Sequence, residues 1–143
     1  MMDKHAKKIM DIKAIIEKGK DGFYSVRSEA QIGRSFMGGF GESVEEAKED
    51  FLESLKEAIQ EARDEGFACE SLEDYKVFYS YDLPSFFNYF DFINVSRFSL
   101  LVGVNESKMR QYKSGLAYPG EKTTKKIISA IHKIGFELSN ATI

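Results

Sequence analysis

The chain has one cysteine, two prolines, two histidines and no tryptophan, and these scarcities narrow what it can do. A single thiol, Cys69, cannot close an intramolecular disulfide, which fits a reducing compartment, and it is read as an ordinary thiol. His5 stands near the amino terminus and His132 among lysines. Neither has a companion at metal-ligand spacing, so no metal site is expected. No Ser/His/Asp or Cys/His set is apparent, so no catalytic residue and no cofactor are expected either. No stretch approaches the roughly 20 apolar residues that a membrane span needs. The amino terminus, MMDKHAKKIMDIKAIIEKGKDG, carries charges on both sides of a very short apolar run and is not read as a secretory signal. The expected location is cytoplasmic.

What is present is a folding composition, 43% hydrophobic and 13% aromatic over 143 residues, enough for one ordinary domain or two small ones. The net charge of −3 conceals a division. Residues 1–93 hold 12 Lys and Arg against 20 Asp and Glu, a balance of −8. Residues 94–143 hold 8 Lys and Arg against Glu106, Glu121 and Glu137, a balance of +5. Segregation on this scale points to two surfaces with partners of opposite charge.

The first half alternates. Ile12, Ala14 and Ile16 interleave with Lys13 and Glu17, the period-two pattern of a half-buried strand. Asp21-Gly22 signals a hairpin turn into a second strand carrying Tyr24 and Val26, and a third is expected over about Arg34 to Phe40. Ser43 and Glu46 form a capping-box pattern at the start of a helix. Its inward stripe is Val44, Ala47, Phe51, Leu55, Ala58, Ile59 and Ala62, and its outer face is Glu45, Glu49, Glu53, Glu57 and Glu61. Gly66 marks the stop. YKVFYSYD (75–82) reads as a fourth strand. The order β-β-β-α-β predicts a helix across one face of a small, mainly antiparallel sheet. GGFGES invites a phosphate-loop reading, but it fits neither GxxxxGK[ST] nor GxGxxG and no basic residue follows. Strand glycines leading into a capped helix are the plainer reading.

From Leu83 onward the pattern is helical. LPSFFNYFDFIN opens with a proline suited to a first helical turn and carries Phe86, Phe87, Phe90 and Ile93. VSRFSLLVG ends at Gly103, Asn105 caps ESKMRQYKSG, and YPGEKTTKKIISAIHKIG places Ile127, Ile131 and Ile134 inward. Two readings compete for this half: a small bundle with a basic face, and a helix-turn-helix whose second helix enters a major groove. In the latter, Ser107, Lys108, Arg110 and Gln111 would reach base edges, while Arg97, Tyr112 and Lys113 would meet phosphates. Leu101, Val104 and Met109 would form the core of the motif. Two copies would then bind an inverted repeat with half-sites about one helical turn apart.

The combination resembles the HicB-like antitoxins of bacterial toxin–antitoxin systems, in the branch with a Cro-type helix-turn-helix. GFYSV followed by FMGGFGESVEEAKEDFLESLKEAI is similar to that family's strand–Gly–Ser/Thr–xEA–helix core. SLLVGVNESKMRQYKSGLAYPGEKTTKKIISAIHKIGFEL resembles its repressor segment, with QYKSG the most specific piece. The likeness covers about residues 10–140. It implies an α+β architecture: a partial RNase H-like, toxin-binding domain over 1–82, lacking the nuclease's catalytic acids, and an all-α helix-turn-helix domain over 83–143. It also implies a small basic RNA-cleaving partner (HicA-like), operator DNA, and a homodimer or higher homo-oligomer. Where the family often has a Pro-Asp-x-Pro-Gly-type turn after the second strand, this chain reads SEAQIGRS, so contacts from that turn are not carried over. The leading expectation is an antitoxin and autorepressor with no reaction of its own. The alternatives are a repressor without a toxin and a metal-dependent nuclease of RNase H type. Toxin binding would fall to the Glu-rich helix face or to an exposed sheet edge.

Overall fold

The computed structural model describes residues 9–67 and 70–143; Cys69 and His5 lie outside the described residues. The chain divides into two compact units, the first ending at Tyr89 and the second beginning at Phe90. The architecture is α+β, a four-stranded sheet followed by helices.

In the first unit β1 (Met10–Lys18), β2 (Tyr24–Ile32) and β3 (Ser35–Gly41) form an antiparallel meander. Helix α1 (Val44–Asp64) then carries the chain to β4 (Tyr75–Tyr81), which pairs parallel with β1, so the strand order is β3-β2-β1-β4. Alternation decides which face is covered. Ile12, Ala14 and Ile16, Tyr24 and Val26, and Met37 are buried with the stripe Val44, Ala47, Phe51, Leu55, Ala58, Ile59 and Ala62 of α1. Each large side chain in such a stripe contributes about 1.5–3 kcal/mol on burial. The turn after β1 is as the sequence implies. Gly22 has φ +86°, a conformation open to glycine, and the Asp21 carboxylate accepts from the Phe23 amide at 3.0 Å. Between Arg27 and Gln31 the β2–β3 register shifts, and the buried Ser28 hydroxyl holds the irregularity by accepting from Met37 N and donating to Ala30 O.

Two glycines of FMGGFGES prove to be packing residues. A Cβ on Gly39 would stand 2.5 Å from the backbone of both Ala47 and Phe51, and one on Gly41 would stand 2.5 Å from Glu46 Cβ. Helix α1 therefore lies directly on the backbone of β3, which is the strand-glycine reading of that motif.

One boundary differs from the expectation. The sequence places residues 83–143 in the second domain, yet α2 (Leu83–Tyr89) packs on the sheet unit. The reason is a set of long-range bonds. The Asp82 carboxylate accepts from Ser85 N, capping α2, and from Lys18 N at the end of β1, both at 2.9 Å. Asn88 Oδ1 accepts from Val44 N at 3.0 Å, while Phe86 and Phe87 are buried.

Lys48 of α1 joins this corner. Its ammonium lies 3.4 Å from the centroid of the Tyr89 ring and 4.2 Å from that of Tyr79, and it donates to Tyr81 Oη at 2.5 Å. Burial pushes its pKa down to about 8, because rings and a hydroxyl replace water incompletely. Burial raises the Tyr81 phenol, with Tyr89 and Tyr79 adding to the effect. Between about pH 8 and the ordinary lysine range near 10.5, the unfolded chain holds a Lys48 proton that the folded chain has released. Stability should therefore rise from about pH 8 to about pH 10 and then turn down, as unfolded tyrosines begin to ionise before Tyr81 does. Urea midpoints measured from pH 7.5 to 9.5 should climb for the parent and stay level for Lys48→Met. Equal slopes in the two proteins would rule Lys48 out as the source.

The second unit contains α3 (Val95–Val102), α4 (Glu106–Ser114) and α5 (Glu121–Asn140). Helix α5 runs through Gly135 instead of ending there, with Ile127 buried and Ile131 and Ile134 half-buried.

Candidate nucleic-acid interface

Helices α3 and α4 are fixed at their ends by short polar side chains and by glycine. The Asn94 side chain accepts from Arg97 N at 3.0 Å, and that of Asn105 accepts from Lys108 N at 3.2 Å. Gly103 and Gly115 both have φ +82°, and each closes its helix in the left-handed conformation. The Gly103 and Val104 amides both return to Ser99 O, so the chain reverses within Gly103-Val104-Asn105.

Periodicity then decides which side chains face outward. Helix α3 buries Val95, Phe98, Ser99 and Val102; α4 buries Met109 and Tyr112. At roughly 100° per residue, Ser107, Gln111 and Ser114 lie opposite that inward pair, with Lys108 on one flank and Arg110 and Lys113 on the other. All six are exposed, as is Arg97 in the first turn of α3. The Lys108 ammonium lies 5.9 Å from the centroid of the Tyr112 ring.

Two expected roles are corrected. Tyr112 is only 5% exposed, so it belongs to the core and not to a phosphate-contacting surface. It follows Met109 at a three-residue interval, which puts both on one helix face. Leu101 is 63% exposed and does not belong to the core of the motif. The inward spacing in α3 is Val95, Phe98, Val102, and Leu101 is one position off it. Met109 is fully buried, as the reading of the motif requires, and Val104 is half-buried.

One participant escapes the sequence reading. Glu106 Oε1 accepts from the Arg110 guanidinium at 3.1 Å and from the Ser96 hydroxyl, which ties the first turns of α3 and α4 together. The signal was available as Glu106 four residues ahead of Arg110, a spacing that pairs opposite charges on a helix. Both groups are about half exposed, so the pair is weak, on the order of 0.3–0.5 kcal/mol. Arg110 can leave it for a stronger acceptor.

No family model, curated protein or solved structure matches this chain.

Elsewhere, among the described residues, no three His, Cys, Asp or Glu side chains converge in a way that could hold a metal ion. No helix among them is long and apolar enough to cross a membrane. The acidic row Glu45, Glu49, Glu53, Glu57 and Glu61 is exposed along α1. Glu49, Glu53 and Glu57 lie opposite the buried stripe of the helix, whereas the Glu61 carboxylate accepts from the Ser35 hydroxyl at the start of β3 at 3.0 Å.

Proposed function

We propose that this chain is a HicB-like antitoxin and autorepressor. The sheet unit blocks a small basic RNA-cleaving toxin, and the helical unit binds operator DNA of the shared operon as a dimer. The chain performs no reaction itself. The observation that carries the reading is the outward set Ser107, Lys108, Arg110 and Gln111 on a helix capped at both ends and joined to α3 by a three-residue turn. That arrangement supports a helix-turn-helix, in which such side chains meet base edges. Arg97 on α3 and Lys113 supply charge for the flanking phosphates.

The other half of the reading rests on topology and charge. An antiparallel meander followed by a parallel fourth strand, reached through a helix, supports the partial RNase H-like assignment. Residues 1–89 hold 12 Lys and Arg against 19 Asp and Glu. An RNA-cleaving partner needs a cationic surface for phosphates, and an acidic unit can occupy that surface and gain encounter rate by steering. The test is footprinting on the DNA upstream of the chain's own gene, with protection of an inverted repeat expected. An unprotected region would reject the repressor half.

A companion expectation concerns chemistry. The purified protein should leave RNA and RNA–DNA hybrids intact with magnesium or manganese present, because two-metal cleavage needs acids converging on one point. Metal-dependent cleavage that disappears with a single carboxylate substitution would overturn it.

A further inference from the structure

The sheet ends in two edge strands, β3 and β4, and the fold treats them differently. An unpaired edge is a template for another strand, and proteins that stay single cover it or charge it. The β3 edge is covered. Gly38 N–H donates to Ser54 Oγ at 3.2 Å and Phe40 N–H to Asp50 Oδ2 at 2.9 Å, both from α1. Just beyond the strand, Glu42 N–H donates to Glu46 Oε2 at 2.9 Å. The Gly38 and Phe40 amides, at the centre of that edge, are already satisfied.

Residues 76–80 of β4 have no such cover. Among the described residues, no side chain bonds the backbone of residues 76–80, which pairs only with β1. The one charge on that stretch, Lys76, lies 4.9 Å from the centroid of the Phe78 ring, along the sheet face and not across the edge. Phe78 is 45% exposed on the face opposite α1.

We infer that two copies of this chain pair antiparallel through the outer edges of their β4 strands, about a two-fold axis at Phe78. The strand's own sequence selects this occupant. Phe78 is the midpoint of residues 76–80, so this register pairs that stretch with itself. Lys76 then faces Ser80 of the second copy, Val77 faces Tyr79, and Phe78 faces Phe78. Aromatic and β-branched pairs are placed opposite one another with no like charges in contact. Sliding the axis two residues to Lys76 would oppose two ammonium groups and shorten the overlap. The exposed side of each sheet stays on the same side of the doubled sheet, because equal residues meet at an isologous axis. The inference rests on the sheet alone and stands whether or not the helical unit binds DNA.

The test uses the full chain and measures mass in solution by light scattering after gel filtration. Phe78→Glu and Phe78→Lys should each halve the parent's mass, and an equimolar mixture of the two should restore it. Restoration also shows that both variants fold. In a Cys69→Ser background, Phe78→Cys should form a disulfide-linked pair under mild oxidation, while Phe36→Cys, on the covered strand and 65% exposed, should not. A single-chain parent, or a parent mass that Phe78→Glu leaves unchanged, would overturn the inference. So would a single-chain parent whose Phe78→Glu variant no longer captures a small basic protein, since the edge would then serve a foreign strand.

Discussion

Gly39→Ala should cost the sheet unit much of its stability, while Gly38→Ala, one residue earlier, should be nearly silent. The added methyl at 39 would sit 2.5 Å from Ala47 O and Phe51 N, backbone atoms that cannot rotate away. Helix α1 would have to lift off β3, exposing Met37 and Phe51 from the centre of the core. Overpacking of this kind costs about 1–3 kcal/mol or more, and for a unit of this size each kcal/mol lowers Tm by roughly 4–8 °C. A Cβ at Gly38 meets nothing closer than Val26 O at 3.5 Å, an ordinary contact. Thermal unfolding of the two variants measures the difference directly. Equal melting would mean that α1 does not ride on the β3 backbone.

The second large effect is expected at Arg110. Its alanine variant should lose discrimination at one position of each half-site by about 1–3 kcal/mol, roughly 5- to 150-fold in relative affinity, if the guanidinium reads guanine bidentately. Truncation also leaves the Glu106 carboxylate with the Ser96 hydroxyl but without its cationic neighbour, so its charge would repel the phosphates of a bound duplex. Overall affinity should therefore fall as well, and Glu106→Gln combined with Arg110→Ala should recover that part without restoring specificity. Arg97→Ala should weaken binding to all sequences alike, with a salt slope shallower by about 0.9 for one lost phosphate contact. Phe98→Ala and Met109→Ala are the unfolding controls, since both side chains are buried; Leu101, being exposed, is not. A randomised-site selection compares the variants. If Arg110→Ala selects the parent's sequences, Arg110 is not a reader.

The parts of this structure governed by near neighbours were legible in the sequence. Alternation in Ile12, Ala14 and Ile16, the stripe from Val44 to Ala62, and the glycine stops at 66, 103 and 115 all follow from local geometry. The capping box was legible in part. The Ser43 hydroxyl accepts from Glu46 N as expected, but Glu46 reaches back to Glu42 N and not to the Ser43 amide that a capping box uses, while Asn88 from α2 takes the Val44 amide. Distant partners set the rest. Phe86 and Phe87 announce that α2 buries a face without saying against what; Asp82 and Asn88 decide it by bonds to Lys18 and Val44. In SLLVG, three- and four-residue steps from Phe98 reach Leu101 and Val102 alike, and only packing selects Val102. Tyr112 carries a hydroxyl that invites a surface role, yet its place beside Met109 turns it inward. The closure of the β3 edge by Asp50 and Ser54 spans 10 and 16 residues and left no local mark.

The central claim, an acidic unit that silences a basic RNA-cleaving partner, is tested most directly by capture. The tagged full chain would be drawn from its native cells, the bound protein released with denaturant and refolded, and its RNA cleavage assayed with the chain added back. A small basic protein that cleaves RNA alone, and that is silenced again by the full chain and by residues 1–89, is the predicted result. The fragment must end at Tyr89 and not at Asp82, because α2 completes the sheet unit. No captured nuclease, or one silenced by residues 90–143 and not by 1–89, would contradict the account.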